Sequence, residues 1–316
     1  MLKLFSGNRT AVLLLLPIFI FLFHFLNYTN EFYVNQTINF GVWNEFFTSL
    51  SAQLNWFSGP LLLVNAILLN NLFNRSNFFD RITYLIAPLY LVLMTFFEIA
   101  FTFSGMLVAH TFLIFMLQQL FELKQNDESK STIFNVMFLA GVSTTFVPSL
   151  TFILPMILVM IRCIRQLYFR DVLVGLIAAA IPFFYVYASF YVLGYSDVPI
   201  LFRYSENILN GDWLVVLGLM AISALIGFLT FMSQWQKCAI RTKKQFQMLL
   251  VLFFTFLILA SIHLLSFQQI DFFSLLLMPI SLLLPFAFRS ESMGMAASGA
   301  FYMLLAFSVM KFFIFA

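Results

Sequence analysis

The sequence predicts an all-α, polytopic membrane protein of about eleven transmembrane spans with its N-terminus in the cytoplasm. Three observations predict it: the composition, the length of the apolar runs and the placement of the positive charges. The chain is 62% hydrophobic and only 9% charged over 316 residues, with a mean hydropathy of +0.99. A soluble domain carries about a quarter charged residues to cover its surface. A surface this poor in charge must face lipid. The net charge of +3, without any Lys/Arg block long enough to track phosphates, excludes a nucleic-acid partner.

Crossing the hydrocarbon takes about 20 residues of helix, because backbone polar groups cannot stay unpaired in lipid. Apolar runs near that length fall at 10–27, 57–74, 82–101, 104–122, 132–147, 148–166, 171–193, 213–233, 246–266, 272–288 and 293–315. The first, in "MLKLFSGNRTAVLLLLPIFIFLFHFL", lacks a small-x-small cleavage site and is expected to stay as a helix. The fifth and sixth are short and separated at Pro148, so 132–166 reads either as two spans or as one re-entrant hairpin. With no soluble domain or linker, residues 1–316 form a single membrane domain with a first half at 1–193 and C-terminal helices at 194–316.

Charge placement tests the count independently. With the N-terminus inside, every Lys and Arg except Arg203 and Lys311 falls on the cytoplasmic side. One missed helix would invert everything after it. Two sizeable loops then lie outside. The first, 27–56, reads "NYTNEFYVNQTINFGVWNEFFTSLSAQLNW" and sets Val42, Phe46, Leu50 and Leu54 at helical spacing, with Asn44, Glu45, Ser49 and Gln53 between them. That pattern predicts an interfacial amphipathic helix, with Trp43 and Trp56 at the headgroup boundary. The second loop, 194–212, carries Asp197, Arg203, Glu206 and Asp212.

Candidate site residues cluster toward the outer face. In "TFFEIAFTFSGMLVAHTF", 95–112, a turn near 103–105 separates the ends of two antiparallel helices. Glu98 and His110 then lie at similar depth, one to two turns below the outer surface. An ionisable residue within a span is a functional candidate by default. The plainer readings are a boundary carboxylate bonded to water or a neighbouring helix, and a histidine satisfied by Ser or Thr. His24 and His263 also fall toward the outer leaflet. Glu31 and Glu45, the acids of the first loop, are either simply solvated or placed to act as a base or to coordinate a divalent ion. Arg203 either pairs with a phosphate headgroup or with Asp197 or Glu206 beside it. Cys163 and Cys238 have no CxxC partner or nearby His, so no metal site is expected. No Walker A, HExxH, GxSxG or EF-hand pattern occurs.

One span, a long outer loop with an acid and an interfacial helix, and a return span together resemble the GT-C superfamily of polyprenyl-phosphate-dependent membrane glycosyltransferases. "FNVMFLAGVSTTFVPSLTFILPMILVMIRCIRQLYFRDVLVGLIAAAIPFFYVYASFYV" is similar to their small-residue span, Pro-bearing span, basic turn and next span. The resemblance covers residues 10–193. It implies a lipid-linked, isoprenoid-phosphate substrate at the periplasmic face. Glu31 or Glu45 would be the first-loop acid and Glu98 the acid near the outer end of the third span. His110, Arg203 and His24 would contact substrate. The family's Asp or Asp-Glu pair after the first span is reduced here to Glu31 in "NEF", which makes a degenerate, non-catalytic scaffold the variant reading. A divalent cation is expected only if the protein is catalytic, and no other cofactor is evident. The whole chain also resembles a family of Phe-rich multi-pass inner-membrane proteins of Bacteroidota, which implies a bacterial inner-membrane address and no activity.

The alternative is a non-catalytic subunit whose partners are other membrane proteins, with "GMAASGA" and "GLIAAA" as close-packing helix faces. A transporter would need a polar cavity at mid-bilayer, and the spans offer few polar residues to build one.

Overall fold

The computed structural model describes residues 10–30, 32–33, 39–48, 54–79, 81–123, 130–194, 212–235, 238–289 and 294–314. Regular structure there is helical, with no strand among the described residues. The helices are α1 (Leu16–Asn30, entered through a 3₁₀ turn at Thr10–Leu15), α2 (Asn44–Thr48), α3 (Ser58–Arg75), α4 (Ile86–Met94), α5 (Gly105–Glu122), α6 (Lys130–Phe146), α7 (Ile153–Ile164), α8 (Phe169–Val192), α9 (Trp213–Gln234), α10 (Ile240–Phe267), α11 (Leu277–Arg289) and α12 (Gly294–Ile314). A helix occupies each of the eleven apolar segments of the sequence, and eight are long and apolar enough to cross a membrane. This is a polytopic helical protein.

The shorter helices show where the apolar runs are interrupted. The third run contains only the 9 residues of α4, then an irregular stretch and a 3₁₀ turn at Glu98–Ala100. The 132–166 region divides at Val147, whose extended backbone (φ −135, ψ 90) precedes a 3₁₀ turn at Pro148–Phe152. By rise per residue, α6 is about 26 Å long, and α7 with its 3₁₀ turn about 28 Å. Each arm is close to the ~30 Å thickness of the hydrocarbon.

Burial sorts the helices into a centre and a ring. Residues 83–101 and 272–287 are buried without interruption. Helices apolar on every side belong in the middle. Accordingly α4 packs against α1, α3, α11 and α12, and α11 against α3, α9, α10 and α12. The ring exposes apolar side chains outward, among them Leu176, Ile177 and Phe184 of α8 and Leu214, Ile222 and Leu225 of α9. Small residues bring α6 and α8 together: a Cβ on Gly141 would lie 2.6 Å from the Ala179 carbonyl oxygen. The "GLIAAA" face, read as a candidate partner surface, is therefore spent inside the chain.

The two ends of the bundle differ in charge. One carries Arg75, Arg81, Lys130, Arg162, Arg165, Arg170, Arg241, Lys243 and Lys244. There Arg241 Nη2 and Gln245 Nε2 each donate to the Phe121 carbonyl at 3.4 Å, and Lys244 Nζ to that of Ile164 at 2.9 Å. These donors satisfy the last carbonyls of α5 and α7, where a helix end favours positive charge. A buried ion pair, Arg165 to Asp171 at 3.1 Å, closes the turn into α8. Phe73, Phe78, Phe246 and Phe286 fill the space beneath. Lys311 is the one cation at the opposite end among the described residues.

Part of the expected interfacial helix, 49–53, lies outside the described residues, and the part before it packs against the bundle. Described helical structure there covers a 3₁₀ turn at Gly41–Trp43, the 5 residues of α2, and, beyond 49–53, residue 54 with a 3₁₀ turn at Asn55–Phe57. Val42, expected to face lipid, is fully buried against Val186 and Phe190 of α8. Trp43, expected at the headgroups, stacks on Phe146 and donates Nε1–H to Thr145 Oγ1 at 3.1 Å. The Gly105 N–H donates to the Asn39 carbonyl at 2.9 Å, pinning the segment to the start of α5. Gly41 sits at φ +61 with its Cβ position 2.4 Å from the Phe146 carbonyl oxygen, so only glycine fits. The segment is a plug seated on α5, α6 and α8, because an indole N–H and a row of apolar side chains find better partners in protein than in lipid.

Candidate functional site at two broken helices

The site begins with a backbone problem. α4 ends at Met94, and Phe97 turns into extended backbone (φ −114, ψ 146). The chain leaves the helix while still inside the core, which strands the carbonyls of Thr95 and Phe96. An unpaired carbonyl in apolar surroundings costs several kcal/mol. Both are met from elsewhere in the chain. Tyr33 Oη donates to the Phe96 carbonyl at 3.0 Å, and Lys311 Nζ donates to the Thr95 carbonyl and, at 3.3 Å, to Tyr33 Oη.

Lys311 is fully buried for this purpose. Its ammonium lies 4.8 Å from the Tyr33 and Phe312 ring centres, 5.5 Å from Phe32 and 5.6 Å from Phe101. Those rings supply cation–π attraction where water is absent. Asp212, at the entrance to α9, is buried too, and its Oδ2 has no hydrogen-bond partner among the described residues. Burial pushes the Asp212 carboxyl above the usual carboxylate range, and the charge of Lys311 pulls it back.

The break in α4 delivers Glu98 to the first position of the 3₁₀ turn Glu98–Ala100. Its side chain is 7% exposed and near enough to Asp271 for the two carboxylates to feel each other's charge. Asp271 opens the 3₁₀ turn Asp271–Leu276, the irregular entrance to α11. The two acids therefore open the two 3₁₀ turns at which the central segments lose regular helix.

His110, on α5, is completely buried. Its Nδ1 lies 2.8 Å from Tyr90 Oη of α4 and its Nε2 3.3 Å from Ser274 Oγ. Glu98 and His110 are thus not bonded to each other, although both reach one turn: Asp271 and Ser274 are three apart and share a side in a three-residue-per-turn helix. The histidine is satisfied between helices, by a Tyr as well as a Ser. His24 is half-buried with Nε2 unpartnered among the described residues, edge-on to Phe101 at 5.3 Å, and so flanks the Lys311 cage. His263 stacks on Phe272 at 3.6 Å, next to Asp271. Glu31 and Arg203 lie outside the described residues, as does the Glu45 side chain.

Sequence reasoning missed two residues. Lys311 stood out only as an exception to the charge rule, and Asp271 was not singled out. The available signal was that each is a lone charge at the outer edge of an apolar run.

Chemically, two interacting carboxylates in an apolar setting can hold one proton between them and act as an acid–base pair. No group of three or more His, Cys, Asp or Glu among the described residues is set to hold a metal ion. Below the Lys311 cage, Leu16, Phe19, Pro88, Leu91, Val92, Phe301 and Leu305 line a shallow apolar crevice of about 10 Å³ between α1, α4 and α12. That is about the room of a single water and far below the ~300 Å³ of the smallest usual ligand pocket, so the crevice is too small to hold a ligand. Comparison with family models, curated proteins and solved structures finds no match to this chain.

Proposed function

We propose that the protein is a bacterial inner-membrane protein that handles a lipid-linked substrate of the polyprenyl-phosphate type at its periplasmic face. Its basic end lies in the cytoplasm, and Glu98 with Asp271 forms the working acid–base pair. The observation that carries the reading is the placement of one acid at the break of each central helix, near enough for their charges to interact. The clustering of basic residues at the far end supports the orientation, with all eleven segments crossing. In this reading Glu98 takes the third-span acid position of a GT-C-like scaffold, and Asp271 supplies the second acid that the first loop lacks. Two carboxylates with phosphate oxygens of a substrate also make a reasonable ligand set for a divalent cation.

The test is a lipid profile. Polyprenyl-phosphate-linked lipids are extracted from cells lacking the protein and from cells complemented with wild type, Glu98→Gln or Asp271→Asn. Wild type is expected to restore a profile that both variants leave altered. Full restoration by Glu98→Gln and Asp271→Asn would sink the acid–base reading.

A scaffold subunit is the second reading, and one observation favours it. Gly299 of the "GMAASGA" face has nothing within 4 Å of its Cβ position, beside exposed Met295 and Ala296. Such an unfilled small-residue face accepts a partner helix. Co-purification of a second membrane protein in mild detergent, lost on Gly299→Leu, would favour it; a monodisperse monomer would count against it.

A further inference from the structure

We infer that Lys311 is a positioning residue for Glu98: by holding the end of the broken helix α4, it fixes the turn that presents Glu98 to Asp271. The inference rests on the reading of Glu98 and Asp271 as the working pair and adds the residue that sets their geometry. Lys311 and Tyr33 hold the carbonyls of Thr95 and Phe96, the third and second residues before Glu98. On the other side, Phe101 is the third residue after Glu98. Its ring stacks on Tyr33 at 5.5 Å, stands edge-on to Phe312 at 5.8 Å and lies under the Lys311 ammonium. The Glu98 turn is therefore clamped before and after by one cage. The cage draws on the first loop, the third segment and the last helix, and Asp212 of a fourth element supplies its counter-charge.

The clamp has a directional logic. A helix that stops early leaves carbonyls pointing along its axis, and a cation placed there offsets both the unpaired oxygens and the negative end of the helix dipole. Without the ammonium, the cheapest repair is for the 95–97 stretch to rewind into helix. Rewinding turns Glu98 about the axis and draws it away from Asp271. Lysine is suited to the task because its compact head donates to two oxygens at once, and the aromatic rings replace its lost water.

The experiment needs no substrate. A hydrophobic carbodiimide attacks protonated carboxyls in apolar sites; the carboxyl oxygen adds to the carbodiimide carbon, its proton goes to nitrogen, and the adduct rearranges to a stable N-acylurea. The purified full-length protein in nanodiscs is treated with the reagent, and Glu98 labelling is followed by peptide mass spectrometry. Wild type is expected to label at Glu98. Lys311→Met is expected to slow labelling about 10- to 100-fold, the usual effect of misplacing a working group by about an ångström. Lys311→Arg is expected to recover most of the rate. Tyr33→Phe, which removes one hydroxyl and keeps the ring, is expected to slow it several-fold. Unchanged Glu98 labelling in folded Lys311→Met overturns the positioning role and leaves the acid pair standing. If that variant does not fold, unchanged labelling in Tyr33→Phe overturns it instead. A wild type that never labels at Glu98 overturns the acid pair itself.

Discussion

His110 shows what a buried polar side chain does when the solvent is lipid. Its two ring nitrogens join Tyr90 of α4 to Ser274 at the entrance of α11, so one α5 residue brackets both central helices. Replacing it with Ala leaves two buried hydroxyls without partners and opens a cavity. His110→Ala is therefore expected to destabilise the protein by about 2–4 kcal/mol. A double-mutant cycle with Tyr90→Phe should return a coupling of about 1–2 kcal/mol. Additive effects in denaturant titrations of the detergent-solubilised protein would show that the bond contributes little. Lys311 follows the same logic with a charge in place of a ring. It is the less forgiving residue, since a buried ammonium that loses its partners costs more than a buried hydroxyl or imidazole.

At the scale of elements, close backbone approach and broken helices divide the work. The α6–α8 pair has no room for a side chain at Gly141, whereas Gly299 on α12 stands in open space. Gly141→Ala should lower stability by about 1–3 kcal/mol, and Gly299→Ala should be neutral to within about 0.5 kcal/mol. Equal thermal shifts for the two variants would mean that α6 and α8 do not pack as described. This scale also shows what the sequence could reveal. Helices were legible because an apolar run of spanning length has only one way to satisfy its backbone in lipid. The break after Met94 was not legible, since 82–101 is apolar on both sides of it and composition is blind to where hydrogen bonding stops. Asp271 and Lys311 gain their meaning from that break, so they were hidden with it. Glu98 and His110 were legible as polar residues in apolar runs, but their actual partners lie on segments far away in sequence.

For the whole molecule, the segregation of basic residues makes the orientation testable with a native thiol. Cys238 lies at the basic end, between α9 and α10. Burial pushes its thiol up, only partly offset by Lys243. A raised thiol holds less thiolate at neutral pH, so its alkylation should be slower than that of a free cysteine and should accelerate as pH rises. With Cys163→Ser to remove the other thiol, a membrane-impermeant maleimide is expected to label inverted vesicles and to spare intact cells. Labelling of intact cells would reverse the orientation.

The contact between Lys311 and the Thr95 carbonyl spans 216 residues of sequence. A ribosome releases α4 long before α12 exists, and chains assemble from the N-terminus as they emerge. During that interval the Thr95 carbonyl lacks the ammonium that holds it, and an uninterrupted helix is the cheaper state for the third segment. The kink that carries Glu98 is then a late event, made when the last helix docks. Translation that stops before Lys311 would leave a chain with nearly all of its helices and without the turn on which its proposed chemistry depends.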